Sequence, residues 1–447
     1  MPASNSSPPT DGRAGAAVAP PQEGGCDLSR PLGLFEGYGV ELEYMLVNAE
    51  TLHPAPAADE LLEAAAGELT DEFENGPIAW NNELALHVIE FKCNGPRPSL
   101  AGLAEDFAAN VRLANAKLDR AGRRLMPTAM HPWMDPADVK LWPHGTREIY
   151  DTFDRIFSCK GHGWANLQSM QVNLPFAGDE EFGRLHAAIR FLLPILPGLA
   201  ASSPIVDGLP NGILDNRLVV YRGNCAKIPS ITGAVVPEAI GSIGEYHERL
   251  LEQIYRDLEP HDPERVLRHE WVNARGAIAR FDRMAIEIRV LDVQETPSMD
   301  VAYAALIVEV LKLLVEERWA DRRKLDAWHE NELGKLLDLA ERRGEDAGVS
   351  DRRYLAALGF RGSSTNLMGL WEHLAEQVSA RGTLDVATGR KLEHYLRHGT
   401  LATRIVKAVG LLPARKKIER VYAELCEALA SGEPFAPPKP PPAPPAR

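Results

Sequence analysis

The chain of 447 residues has no apolar run of the roughly 18 residues that a membrane span requires. Its richest stretch, Phe191 to Ala201, is interrupted by Pro194 and Pro197. The first residues, rich in Ser, Pro, Ala and Gly, lack the apolar segment of a secretory signal. Cysteine is scarce. Cys26, Cys93, Cys159, Cys225 and Cys426 show no CxxC or CxxH spacing, which argues against structural zinc and for a reducing, cytoplasmic compartment. Positive charge is short as well: 49 Lys and Arg stand against 63 Asp and Glu, a formal net charge of −14, which disfavours non-specific nucleic-acid binding. Neither a G-x-x-x-x-G-K-[ST] loop nor a G-x-S-x-G elbow occurs, so P-loop and serine-hydrolase chemistry find no support.

What is present is an ordinary globular composition, 45% hydrophobic and 25% charged, with length enough for one large domain or two. Residues 1–28 and 433–447 lack apolar content and read as disordered tails, the second rich in proline. Residues 29–297 mix helical patterns with strand-like stretches: Tyr38 to Val47, Leu84 to Phe91, Leu167 to Leu174 and Met284 to Val293. No regular βαβ rhythm joins them, which predicts an α+β core with a mainly antiparallel sheet. From 298 to 432 the pattern is helical. Val301, Ala304, Val308, Leu311 and Val315 recur at spacings of three and four, and further helices are expected around 322–343, 366–380, 385–407 and 414–430. This region reads as a helical extension packed on the core.

Side chains alternate across a strand, so parity sorts them by face. Val40, Leu42 and Tyr44 share one face, and Glu41 and Glu43 the other. Ile286, Ile288 and Val290 oppose Glu287 and Arg289, while Met170, Val172 and Leu174 oppose Ser169, Gln171 and Asn173. Paired carboxylates repel unless a cation or water separates them. Oxygen-rich groups of this kind suit Mg²⁺ or Mn²⁺, and an adjacent arginine suits a phosphate. These faces therefore point to a metal–nucleotide site on one side of a sheet. Glu83 and Glu90 have opposite parity, so either a bulge intervenes or Glu83 lies in the loop before the strand. His87 reads as a structural histidine.

Taken together, Gly39-Val40-Glu41-Leu42-Glu43, the pair Glu83 and Glu90, Gln171-Val172-Asn173-Leu174, Ser203-Pro204 with Asn211-Gly212 and Arg217, and Glu287-Ile288-Arg289 with Asp292 resemble the glutamate–cysteine ligase family, in its type 2 or plant-like branch. That resemblance implies a glutamine-synthetase-like sheet forming a funnel, with helices on its outer face. It implies metal ligation by Glu41, Glu43, Glu90 and Glu287. Glu83 becomes a further ligand or a contact to the amine substrate. Gln171, standing where other branches carry a histidine, and Asn173 become contacts to metal or ATP. Arg289, with Arg217 second, would offset charge on a transferring phosphoryl group, and Arg275 and Arg280 would neutralise phosphates or a substrate carboxylate. The implied reaction is ATP-dependent ligation of glutamate to cysteine through an acyl phosphate, with Mg²⁺ or Mn²⁺, on small-molecule substrates and without nucleic acid or membrane. The same residues also admit a ligase for another amine, a phosphotransferase, or a regulatory Mg-ATP-binding protein without turnover.

Overall fold

The computed structural model describes residue 26 and residues 28–437. Eight strands form its main sheet: β1 (Gly39–Asn48), β2 (Glu72–Asn75), β3 (Ile78–Asn82), β4 (Val88–Cys93), β5 (Arg123–Met126), β6 (Ser169–Pro175), β7 (Ala277–Arg280) and β8 (Ala285–Asp292). They run in the order β2-β3-β4-β1-β6-β8-β7, with β5 added to β1, and every pairing is antiparallel. Ten residues let β1 bond β4 on one side and both β6 and β5 on the other. It is the spine of the sheet.

Alternation decides what each face meets. Val40, Leu42, Tyr44, Met170, Val172, Leu174, Ile286 and Ile288 are all buried in one apolar cluster. That face packs under three helices: α1 (Leu103–Leu118), α2 (Gly178–Leu192) and α3 (Pro297–Val315). α3 is apolar on nearly every side and buried along its length, so it is a core helix rather than a surface one. Thr296 caps it through the Met299 N–H, and Pro297 opens it.

The other face of β1 changes character along its length. Glu41 and Glu43 give way to Met45 and Val47, which join a second apolar cluster with Leu401, Ile405, Ile418, Tyr422 and Leu425. The last two long helices, Leu401–Val409 and Arg415–Ser431, thus cover one end of the carboxylate face. Among the described residues no helix is long and apolar enough to cross a membrane.

Four details differ from the sequence expectations. The helix expected around 322–343 is two, Arg322–Asp326 and Glu330–Arg343, the second capped by His329. The strand expected from Leu84 begins at Val88, because residues 84–86 bond instead to the segment around Leu141. The helix expected over 385–407 is two, divided where Gly399 turns at φ +86° and Thr400 caps the next. Part of the C-terminal stretch expected to be disordered from 433 is packed: Phe435 is buried, its carbonyl accepting from Arg404 Nη1 at 2.6 Å and its N–H donating to Glu295 Oε1 at 3.2 Å. The expected disorder of residues 1–25 and 438–447 lies outside the described residues.

Arg404 and Glu295 form a fully buried ion pair that fastens the C-terminal helices to the segment after β8. Removing one partner strands the other charge in the interior. Arg404→Ala is expected to cost about 3–5 kcal/mol in urea unfolding; a loss below about 1 kcal/mol would show the pair to be dispensable.

Candidate active site on the carboxylate face

Strand register brings the chemistry together. Glu43 lies directly opposite Glu90, Glu41 opposite Gln171, and Glu287 opposite Asn173. Glu83 follows β3 in the loop before β4, which settles the parity conflict in favour of the loop. From there it reaches the same face, and Glu43, Glu83 and Glu90 each offer a carboxylate oxygen within 4.8 Å of the others.

Each acid has its own surroundings. Glu43 accepts from the Ser169 N–H (2.7 Å), Ser169 Oγ (2.9 Å) and Gln171 Nε2 (2.9 Å). Burial raises its pKa nonetheless, and those donors oppose the rise. Glu90 lies well above the usual carboxylate range, through burial first and then the charges of Glu41 and Glu83. Glu83 is pushed up to about 8, by burial and then by Glu43. Such a trio holds protons or a cation, and its hard oxygens fit Mg²⁺ or Mn²⁺. Glu41 stands at the edge, accepting from Asn173 Nδ2 at 2.9 Å with Arg283 Nη1 at 3.6 Å.

Glu287 stands apart from the trio. Arg280 Nη1 meets one oxygen at 3.0 Å and Arg289 the other, through Nε at 2.9 Å and Nη2 at 2.8 Å. Burial alone would raise its pKa, but Arg289 and Arg280 outweigh that and hold it below the ordinary value. In this arrangement Glu287 is an anion paired with two arginines.

Arg289, two residues on, shares its face by alternation, and a bulge in β8 falls at this point. The β8–β6 register slips between Ile288 and Leu291, leaving an extra residue on β8. Arg217, expected near the transferring group, instead braces this bulge from below. Its Nε bonds Asp292 Oδ1 at 2.6 Å and its Nη2 bonds the Arg289 carbonyl at 3.2 Å. Asp292 also accepts from the Ser202 N–H and Ser203 Oγ, so the Ser203-Pro204 motif is part of the same buried knot. Arg275 is likewise occupied: it makes a bidentate pair with Glu238 at 2.6 and 2.7 Å and donates to the Ser230 carbonyl. His87 is buried with Nε2 2.8 Å from the Ala165 carbonyl.

Sequence reasoning assigned no role to Ser169, Arg283 or Lys92. Arg283 lies in the β7–β8 turn, and its place beside Glu41 depends on the strand order β1-β6-β8, which the hairpin alone does not give. Arg283, Lys92, Glu41 and Asn173 line a cavity of about 650 Å³ at the open end of the face.

Over residues 38–424 the chain matches Glutamate-cysteine ligase family 2 (GCS2). It belongs to this family. An uncharacterized protein of Archaeoglobus fulgidus is 36% identical over 329 residues, covering 72% of this chain and 88% of its own. Among solved structures, a glutamate–cysteine ligase of Francisella tularensis in complex with AMP has a TM-score of 0.57 at 12% identity, covering 90% of this chain and 91% of that one. A bifunctional glutathione synthetase of Pasteurella multocida has a TM-score of 0.58 at 15% identity, covering 89% of this chain and 53% of that one. At these identities the two structures establish a shared fold.

The carboxylate trio makes stability depend on pH in a definite direction. Glu83 has a folded pKa of about 8, above the ordinary value of roughly 4.3. Between those limits the folded state binds more protons than the unfolded one, so stability falls as pH rises through that window. In chelator-treated protein, Glu90→Gln is expected to raise the Tm by a few degrees at pH 9 and by less at pH 5. An equal effect at both values would show that the three acids do not repel one another.

Proposed function

We propose that this chain is an ATP- and Mg²⁺-dependent carboxylate–amine ligase, with glutamate and cysteine as its substrates and γ-glutamylcysteine, formed through an acyl phosphate, as its product. The observation that carries the reading is the juxtaposition of the Glu43, Glu83 and Glu90 carboxylates with the Glu287–Arg289–Arg280 cluster on one sheet face. Membership of the GCS2 family supports it.

The acceptor carboxylate is a poor electrophile until its oxygen becomes a leaving group, so catalysis here rests on positioning and charge neutralisation. Glu41, Glu43, Glu83 and Glu90 would hold the divalent cations, with the Gln171 and Asn173 amides beside them. Cations held there neutralise phosphate oxygens and align the acceptor. Arg280 and Arg289 both grip Glu287, and a phosphoryl oxygen offers the same guanidiniums a second anionic partner. Arg283 and Lys92 line the cavity that would take the nucleotide, each beside an acid, Glu41 and Glu72 respectively, that a phosphate would replace as partner. Arg217 acts through Arg289, by fixing the bulge that presents it. On this reading residues 29–297 carry the chemistry, and of the later helices Leu401–Val409 and Arg415–Ser431 cover one end of the site's face. Five unpaired cysteines support a reducing, cytoplasmic location, and γ-glutamylcysteine as product would place the reaction in thiol biosynthesis.

Purified protein with ATP, Mg²⁺, glutamate and cysteine is expected to release ADP and yield a product of the γ-glutamylcysteine mass. Glu43→Ala and Glu287→Ala should each lower the rate by at least about a hundredfold. ADP release that needs glutamate with a different amine would retain the ligase and change its second substrate. Undiminished turnover in both variants would overturn the site, and a phosphorylated amine as product would identify a phosphotransferase.

Substitution at the brace has a distinct signature. Arg217→Met is expected to destabilise the fold by about 3–5 kcal/mol, because Asp292 is left buried and unpaired. Stability left intact in the variant would show that the Arg217–Asp292 pair does not hold this part of the fold.

A further inference from the structure

A second cavity, of about 1280 Å³, lies in the C-terminal helical region and shares no lining residue with the sheet-face cavity. Arg318, Arg352, Arg361 and His373 line it, and no acidic side chain does. Among the described residues the three arginines form no ion pair and no side-chain hydrogen bond. Nearby acids are engaged elsewhere: Glu316 pairs with Arg381, Asp351 with Arg353, and Glu317 accepts from the Arg322 N–H. In a chain of net charge −14, three exposed guanidiniums without an ion-pair partner around one hollow form a local concentration of positive charge.

The walls add a second kind of recognition. Trp319 and Phe360 flank the arginines, and Phe360 is fixed by an edge-on contact with His373 at 5.4 Å between ring centroids. Gly359, at φ +72°, lets the Trp319 indole lie against its backbone. The two backbone N–H groups after Arg361 donate to no acceptor among the described residues. Guanidiniums with free amides suit phosphate oxygens, and aromatic walls suit a flat ring. α3 separates this hollow from the catalytic sheet: its 19 residues run from just beyond β8 to just before Arg318, roughly 28 Å at 1.5 Å per residue.

We propose that this pocket is a second ligand site, for a phosphorylated small molecule that carries a ring, such as a nucleotide or a sugar phosphate. ADP, ribose 5-phosphate and inorganic pyrophosphate are titrated calorimetrically into the wild-type chain and into Arg352→Ala, Arg361→Ala and Arg390→Ala. Arg390 is an exposed arginine outside the pocket and controls for lost charge. At least one ring-bearing probe is expected to bind the wild type and Arg390→Ala alike, and about tenfold more weakly in each pocket variant. Circular dichroism verifies that the variants are folded. Binding that is unchanged in both pocket variants belongs to the sheet-face site and overturns the proposal, as does the absence of binding at millimolar concentration. Pyrophosphate binding as tightly as ADP would overturn the role of the aromatic walls.

Discussion

Two glutamates facing each other across neighbouring strands are the constraint on which this architecture turns. Glu43 and Glu90 occupy opposed positions, with Glu83 brought in from a loop. Two full charges within 4.8 Å of each other repel by roughly 3 kcal/mol or more at an effective dielectric near 20. A domain's whole net stability is about 5–15 kcal/mol, so three such pairs are not tolerated bare. Protons or a divalent cation must share the cluster. Hydrogen bonds from Ser169 and Gln171 favour negative charge on Glu43, whereas Glu90 receives no such donors among the described residues. The environment thus distributes charge unevenly among chemically identical side chains.

Around this cluster most charged residues of the motifs work at one remove. Arg217, Asp292, Ser202 and Ser203 form a buried knot under the β8 bulge, and the knot decides where Arg289 points. Arg275 makes a comparable closed pair with Glu238. A residue conspicuous in a motif can therefore hold the backbone that carries the reacting group, without touching that group.

The wet and apolar faces of β1, β6 and β8 were legible in the sequence, because parity in a strand is a local property. Glu41, Glu43, Gln171, Asn173, Glu287 and Arg289 share a face as alternation requires. What parity could not supply was register. Glu90 meets Glu43 only because of how β4 aligns with β1, and Arg280 meets Glu287 only through the β7–β8 hairpin. The occupation of Arg217 and Arg275 depends on partners 75 and 37 residues away. Periodicity carries no information about such distant pairs. The apolar switch at Met45 and Val47 was visible as composition, but the helices that cover it come from the far end of the chain.

That last separation has a temporal side. A ribosome releases β1 long before the helices at Leu401–Val409 and Arg415–Ser431. Until those helices emerge, Met45, Val47 and Leu425 have no shared interior, and the strand bearing Glu41 and Glu43 lacks one of its walls. Competence in this molecule therefore arrives late in translation, however early the acidic residues themselves are made.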